Sequence, residues 1–281
     1  YQKMRALIIY LVISAVFIGC TPILSIDAST QSVYHFSDTD KNISLLDISE
    51  TFGTYDGSFV LYDNNLDSWK IYDLEEATKR IPPESTYKIY DALLGLESGI
   101  ITPEHSSMTW NGDAFPFPSW EADQDLNSAM QNSVNWYFQA IDSQLGINRV
   151  QEFLNKIEYG NQTTSSNLDL YWSDFSLKIS PLEQVTLLKK FNTNEFHLNF
   201  QNVFSVKNAI KIASTPNGNF YGKTGTGRVN GQDINGWFIG YVETSDNSYY
   251  FATNIQSDSN ATGKKAFEIT SDILKKLHIW N

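Results

Sequence analysis

The order of the predicted secondary structure, with strands at both ends of the chain and helices between them, constrains the fold most. Aromatic and β-branched runs bounded by polar turns predict five strands, at 57–62, 69–72, 219–224, 234–242 and 249–255. Helical patterns occupy 85–96 and most of the chain from about 125 to 211, the last of them running over 203–213. An apolar stripe over 266–277 predicts a final helix. We therefore expect an α+β protein whose antiparallel sheet combines strands from both termini, flanked by helices, with an inserted helical lobe.

An uncharged apolar run precedes this domain. No formal charge stands between Arg5 and Asp27, and nearly every side chain from Ala6 to Leu24 is apolar. As a helix the run would be about 32 Å long, which matches the roughly 30 Å hydrocarbon core of a bilayer. Because Lys3 and Arg5 precede it, we expect the N-terminal side to face the cytoplasm and everything after Asp27 to lie outside the cell.

Three interpretations of the run remain open. We favour a transmembrane helix over residues 1–26, the last of a longer polypeptide, because the first residue is Tyr and not Met. A lipoprotein signal with Cys20 as the lipid acceptor is the second interpretation, and a buried core helix is the third. Residues 27–51 are rich in Ser, Thr and Asp and predict an extracellular linker, followed by a domain over 52–281.

Charge and composition exclude several classes of protein. The chain carries 20 Lys and Arg against 32 Asp and Glu, a formal net charge of −12, with no basic cluster that would bind a nucleic acid. One cysteine cannot form an internal disulfide framework. The four histidines are scattered without an H-E-x-x-H pattern, so we expect no metal site in this chain.

A nucleophile is predicted at Ser85, in the only S-x-x-K of the chain, Ser85-Thr86-Tyr87-Lys88. Residues i and i+3 share a helix face, so the Lys88 amine can reach the Ser85 hydroxyl. A lysine desolvated in an apolar helix can be neutral and can take the proton of that hydroxyl. Alone the motif is weak evidence for a nucleophile, since a serine that caps a helix, followed by a solvated lysine, would have the same sequence pattern.

Two further motifs follow in order, Ser133-Val134-Asn135 and Lys223-Thr224-Gly225. With Gly218 and Gly222, the second motif is close to the phosphate-loop pattern G-x-x-x-x-G-K-[ST]. Three residues instead of four separate these glycines, and strands are predicted on both sides of the motif, which argues against nucleotide binding. A Lys and a Thr on an edge strand can instead bind a substrate carboxylate. The order S-x-x-K, S-x-N, K-T-G is the set that penicillin-binding proteins and serine β-lactamases use.

The chain also resembles a narrower group. The resemblance to class D β-lactamases rests on Ser85-Thr86-Tyr87-Lys88, Tyr159-Gly160-Asn161, Tyr171-Trp172, Ser176-Leu177-Lys178-Ile179-Ser180 and Tyr221-Gly222-Lys223-Thr224-Gly225. The segments STYKIYDALLGL, DLNSAMQNSVNWYF, SLKISPLEQV and YGKTGTGRVNGQDINGWFIGYV resemble more closely the sensor domain of the BlaR/MecR β-lactam receptors. The resemblance runs from about Phe52 to the C-terminus and implies a β-lactamase/penicillin-binding-protein-like fold.

The resemblance implies roles for the motif residues. Ser85 would attack the β-lactam carbonyl, with the backbone N–H groups of Ser85 and Thr226 as the oxyanion hole. Ser133 would pass a proton to the lactam nitrogen. The K-T-G strand, Lys223, Thr224 and Gly225, would bind the drug carboxylate and line the oxyanion site.

One departure from the enzymes bears on turnover. Class D β-lactamases carry S-x-V where this chain has Asn135, and their motif lysine holds a CO2-derived carbamate on which a tryptophan, here Trp172, packs. We expect Lys88, carbamylated or free, to support acylation of Ser85. We expect Asn135 to hydrogen-bond the lysine and to disfavour the carbamate after acylation, so that deacylation is slow.

The resemblance thus implies a membrane-bound β-lactam receptor that signals through the membrane to induce antibiotic resistance. It also implies an upstream zinc protease domain of the same protein, absent from this chain. A membrane- or lipid-anchored class D β-lactamase is the alternative. A cell-wall transpeptidase or carboxypeptidase is less favoured, because Tyr159-Gly160-Asn161 and Trp172 point to the class D branch.

Overall fold

The computed structural model describes residues 42–281, together with two short paired strands, β1 (Ile23–Leu24) and β2 (Tyr34–His35). The membrane helix predicted over residues 1–26 otherwise lies outside the described residues. In the described part of the chain, no helix combines the length and the apolar composition needed to cross a bilayer.

One sheet of seven strands organises the domain, in the order β3-β5-β4-β9-β8-β7-β6. Its strands are β3 (Ile43–Leu45), β4 (Asp56–Asp63), β5 (Ser68–Tyr72), β6 (Lys211–Thr215), β7 (Gly218–Val229), β8 (Gln232–Glu243) and β9 (Ser248–Gln256). All pairs are antiparallel except β3 with β5. Because β4 pairs with β9, the N-terminal hairpin joins the C-terminal meander, as the sequence predicted.

Nine α-helices flank this sheet in the described residues. They are α1 (Ser49–Phe52), α2 (Leu74–Thr78), α3 (Lys88–Glu97), α4 (Leu126–Gln131), α5 (Asn135–Leu145), α6 (Ile147–Lys156), α7 (Pro181–Thr193), α8 (Phe200–Ala209) and α9 (Gly263–Lys276). Single 3-10 turns cover Glu84–Tyr87 and Pro118–Trp120. The lobe from α3 to α8 is inserted between the two halves of the sheet, which confirms the α+β prediction.

Two cores hold the layers together. On one face of the sheet, the helical lobe buries a large cluster that includes Tyr87, Phe138 and Trp237. On the other face, α9 and α1 cover a smaller cluster built around Phe220 and Phe238. The sheet is therefore buried on both faces, and β7 lies between α9 and the turn that precedes α3.

The end of the last middle helix was predicted wrongly. The pattern over 203–213 predicted a helix to Ala213, but α8 ends at Ala209 and residues Lys211–Thr215 form β6. β6 pairs with the first residues of β7, and the Gly222 amide donates to the Ile210 carbonyl at 2.9 Å. Strand pairing thus overrides the local helical pattern.

Part of the predicted linker belongs to the sheet. Within 27–51, Ile43–Leu45 pairs with β5, and the Trp69 amide donates to the Asn42 carbonyl at 2.7 Å. Helix α1 also begins before Phe52. A segment of three residues with mixed polarity carries little periodicity, which is why the sequence alone did not indicate a strand.

Candidate active site

The turn that carries Ser85 is fixed from the sheet. Two prolines end the preceding segment, and the carbonyl of Pro82 accepts hydrogen bonds from Trp237 Nε1 at 2.8 Å and from Asn235 Nδ2 at 3.1 Å. A 3-10 turn over Glu84–Tyr87 follows and leads directly into α3 at Lys88. Ser85 therefore stands at the start of a helix, partly exposed, while its neighbours are buried.

Lys88 lies buried beneath this serine. Its Nζ is 2.8 Å from Ser85 Oγ and 2.6 Å from Asn135 Oδ1, and it lies 5.6 Å from the ring centres of both Phe138 and Trp172. Burial, and next the positive charge of Lys223, hold the pKa of Lys88 well below its usual value. A neutral amine can donate one hydrogen to Asn135 and offer its lone pair to the Ser85 proton.

The segment between α4 and α5 supplies the second motif. Ser133 adopts a left-handed backbone conformation with φ of 51°, and the Val134 amide returns to the Ala129 carbonyl at 2.9 Å. Asn135 is the first residue of α5. This turn aims the Ser133 hydroxyl at Lys223, whose Nζ lies 3.1 Å away, while Asn135 reaches Lys88.

Strand β7 supplies the third motif and the opposite wall of the cleft. Pairing with β6 ends at Tyr221, so the outer edge of the following residues faces the Ser85 turn. Lys223 is buried, and burial lowers its pKa to about 7. A Cβ on Gly225 would lie 3.2 Å from the Ser85 amide nitrogen, so the glycine lets the strand approach the nucleophile closely. Thr226 Oγ1 accepts from the Gly263 amide at 2.9 Å, which ties the strand to α9.

Two cavities lie along β7. One, of about 300 Å³, is lined on its polar side by Ser85, Asn135 and Thr226 and on its aromatic side by Trp172 and Phe175. The other, of about 520 Å³, is lined by Lys223 and Thr224 together with residues of α4, α8 and β6. A ligand that reacts at Ser85 can therefore place a substituent in the smaller cavity.

All nine predicted site residues lie around this one cleft, although their roles remain predictions. Hydrogen bonds join Lys88 to Ser85 and Asn135, and Lys223 to Ser133. The charge of Lys223 also lowers the pKa of Lys88. The others are Trp172 over the lysine and Thr224, Gly225 and Thr226 along β7. Asn161, predicted as a loop support, donates to the Ser176 carbonyl at 2.8 Å and accepts from the Lys178 amide at 2.9 Å.

Glu84 is a site residue that sequence reasoning missed. It directly precedes Ser85, has a left-handed φ of 52° and is only 5% exposed. Burial raises the pKa of its carboxyl to about 8, although Asn235 Nδ2 donates to Oε1 at 3.3 Å. In the sequence, its position next to the motif serine was the only indication of a role in the site. An acidic residue in a solvent-exposed turn would occupy the same position.

Trp172 and Lys88 fit a carbamate on the lysine. The amine is buried and its pKa is lowered, and a neutral amine is the form that reacts with CO2. Within the described residues the Trp172 indole N–H has no hydrogen-bond partner, so it is available to donate to a carbamate oxygen. Asn135 Oδ1 competes for the same position at 2.6 Å from Nζ.

No cluster of three His, Cys, Asp or Glu side chains that could bind a metal ion occurs in the part of the chain that the structure describes.

Comparison with known proteins places this geometry in a family. Residues 54–275 match the family described as the penicillin-binding protein transpeptidase domain. The chain belongs to this family. Among the family's members it is 45% identical over 277 residues to the regulatory protein BlaR1 of Bacillus licheniformis, and 38% identical over 278 residues to the methicillin resistance protein MecR1 of Staphylococcus aureus.

Solved structures give the same result. The C-terminal domain of the Bacillus licheniformis BlaR penicillin receptor superposes with a TM-score of 0.83 at 46% identity, covering 85% of this chain and 98% of that one. A class D β-lactamase from Bacillus subtilis gives 0.79 at 36% identity, covering 84% and 97%. The predicted resemblance to BlaR/MecR receptors and class D β-lactamases is confirmed.

The match covers only part of the length of the two regulatory proteins. It covers 98% of this chain but 45% of BlaR1, and 99% of this chain but 47% of MecR1. The chain therefore spans about half the length of these relatives.

Proposed function

We propose that this chain is the penicillin-binding part of a β-lactam receptor, in which β-lactams acylate Ser85 and the adduct persists. The observation that carries the proposal is the position of Lys88 Nζ between Ser85 Oγ and Asn135 Oδ1. One neighbour of the amine is the nucleophile that it activates. The other is the side-chain amide of Asn135, whose oxygen accepts a hydrogen bond from the amine.

The geometry supports acylation of Ser85. The neutral Lys88 amine takes the proton of Ser85 Oγ as the oxygen attacks the lactam carbonyl, and the N–H groups of Ser85 and Thr226 stabilise the oxyanion. The C–N bond of the lactam then breaks, and the nitrogen takes a proton from Ser133. Lys223, 3.1 Å from Ser133 Oγ, replaces that proton and with Thr224 binds the drug carboxylate.

Asn135 supports the proposed persistence of the adduct. A CO2-derived carbamate on Lys88 would supply a second base near the ester when it is present, with Trp172 as its hydrogen-bond donor. Asn135 binds the free amine at 2.6 Å and so competes with that modified form. Lys88 itself holds the proton that it took from Ser85. Without a second base beside the acyl ester, water is activated poorly and the ester is long-lived.

A class D β-lactamase is the second candidate function. Trp172 over Lys88 and the similarity to class D structures favour it. Against it stands Asn135, whose hydrogen bond to the lysine amine would slow hydrolysis.

The rest of the proposed receptor lies outside the described residues. We propose that residues 1–26 cross the cell membrane with the N-terminal side in the cytoplasm and the domain outside, as the charge pattern predicts. We further propose an upstream zinc protease domain in the same protein, which receives the signal and leads to induction of resistance. The coverage of only 45% of BlaR1 is compatible with such a domain.

A chromogenic cephalosporin separates the two functions. We expect one equivalent of the drug to be opened in a burst that then stops, and mass spectrometry to find one adduct on the peptide that contains Ser85. Ser85→Ala should abolish both signals. Sustained turnover at a substoichiometric protein concentration would instead support the β-lactamase.

The role of Asn135 is tested by Asn135→Val. Valine removes the acceptor at 2.6 Å from Lys88 Nζ, so we expect the penicilloyl adduct to be lost at least about tenfold faster. The measurement is release of labelled penicillin with and without added bicarbonate. Asn132→Val, at the exposed end of α4, is the control, and an unchanged adduct lifetime in Asn135→Val would contradict the proposal.

A further inference from the structure

The proposed mechanism leaves two buried carboxyl groups without a role. Asp91 on α3 and Asp142 on α5 are both 0% exposed. Three of their four carboxyl oxygens, Asp91 Oδ1 and Oδ2 and Asp142 Oδ1, have no donor among the described residues, and the two carboxyls lie within hydrogen-bonding reach of each other. The fourth, Asp142 Oδ2, accepts from the Tyr171 hydroxyl at 2.9 Å. Burying unpaired carboxyl oxygens is costly, so this pair requires an explanation.

The position of the pair relates it to the active site. Asp91 follows Lys88 by three residues and so lies on the same face of α3, and Asp142 follows Asn135 by seven, which is two turns along the same face of α5. Lys88 and Asn135 are themselves joined at 2.6 Å. The two helices therefore carry two successive cross-connections, one at the cleft and one deeper in the core.

A shared proton accounts for the unpaired oxygens. Two carboxylates in one dry site cannot both ionise without strong repulsion, whereas a carboxylic acid donating to a carboxylate satisfies both. We propose that Asp91 and Asp142 share one proton, and that this hydrogen bond positions α5 against α3, keeps Asn135 on Lys88 and thereby sets the lifetime of the acyl adduct. Asp91 is the donor, since Asp142 already accepts from Tyr171. Both aspartates are positioning residues and do not touch the ligand.

The electrostatics around the pair agree with this assignment. Burial raises the pKa of Asp142 to about 6 and raises that of Asp91 well above its usual value. The titratable groups that face the pair are Lys88 and Tyr87 on the side of α3, and Tyr171 and Asp169 in the segment before α7. Both shifts favour one shared proton over two ionised carboxylates. When that proton is lost at higher pH, the two adjacent carboxylates repel and the deeper connection opens.

The inference rests on the proposed acylation, and the test separates the two. The lifetime of the penicilloyl adduct is measured on the full chain from neutral pH to the highest pH at which the protein stays folded. We expect the lifetime of the wild-type adduct to fall over this range by about tenfold more than that of the Asp91→Asn adduct. In Asp91→Asn the introduced amide donates to Asp142 at every pH. Asp142→Asn should flatten the profile in the same way and serves if Asp91→Asn does not fold. Asp169→Asn, an exposed charge near the pair, is the control and should keep the wild-type profile.

A second measurement needs no drug. Glu84, which is also buried and has a pKa of about 8, gives the carbonyl band of a protonated carboxyl in every variant. The infrared difference spectrum between the wild type and Asp91→Asn at neutral pH should therefore show one further band of this kind, present only in the wild type. Absence of any adduct would overturn the proposed function and leave this band as the test of the pair. An adduct whose lifetime has the same pH profile in the wild type, Asp91→Asn and Asp142→Asn would overturn the inference, as would a missing band.

Discussion

At the scale of single residues, burial decides what the two active-site lysines can do. Lys88 and Lys223 are both nearly inaccessible, and each loses affinity for its proton because a charged ammonium is poorly solvated there. Lys88 lies against Ser85 and Asn135, so the loss makes it a base. Lys223 keeps a pKa of about 7, so its charge, and with it the binding of an anionic drug, depends on pH near neutrality.

The titration of Lys223 predicts a pH-dependent affinity. Because its pKa is lowered to about 7, the lysine is cationic below that pH and becomes neutral above it. We expect the affinity of the initial, noncovalent penicillin complex to fall by about tenfold from about pH 6 to about pH 8 as the cation is lost.

Stopped-flow measurement of the saturation constant for acylation checks this expectation. Lys223→Arg, which keeps its charge across this range, should show a flatter profile even if its absolute affinity is lower. The exposed Lys264→Gln is the control. A wild-type saturation constant that does not change with pH would show that Lys223 does not bind the carboxylate through its charge.

At the scale of elements, the site is made by three segments that other elements hold in place. Strand β8 fixes the Pro82 carbonyl and with it the Ser85 turn, and the turn after α4 aims Ser133 and Asn135. Helix α9 supports β7 from behind, where the Gly263 amide donates to Thr226. The chemistry at the cleft therefore depends on packing on the far face of the sheet.

A methyl group at Gly263 tests that dependence. A Cβ there would lie 2.8 Å from the Gly225 carbonyl oxygen and 3.1 Å from the Gly225 nitrogen, so β7 or α9 must move. We expect Gly263→Ala to slow acylation of Ser85 by at least about tenfold, since sub-ångström displacement of an oxyanion donor is costly. Lys264→Ala, the exposed neighbour on the same helix, should acylate normally. Normal acylation in Gly263→Ala would mean that α9 does not position the strand.

At the scale of the whole molecule, the domain extends further toward the N-terminus than the sequence indicated. β3 and α1 precede Phe52, and Ile43 packs on the large core while Leu46 and Ile48 pack on the smaller one. β3 also lies at the opposite edge of the sheet from β7 and β6. The edge of the sheet that β3 completes is therefore separate from the edge that carries the cleft.

Shortening the chain tests this separation. A version that begins at Phe52 lacks β3 and most of α1, and we expect its free energy of unfolding to be about 2–4 kcal/mol below that of a version that begins at Asn42. Urea unfolding followed by fluorescence measures the difference. The acylation rates of the two should agree within about twofold, because the cleft is at the other edge. Equal stabilities would instead support a domain boundary at Phe52.

The sequence by itself determined the sheet built from both ends of the chain and the three motifs of the cleft. Strand alternation, helical periodicity and the spacing within S-x-x-K are local properties, so they can be read along the chain. The contact between Lys88 and Asn135 was expected from the resemblance, and the structure contains it. The burial that lowers the pKa of Lys223, β6 in place of a longer helix, and the proximity of Asp91 to Asp142 were decided only by the tertiary structure. Each depends on segments distant in sequence that exclude water together, and desolvation is a property of the packed interior and not of any one residue.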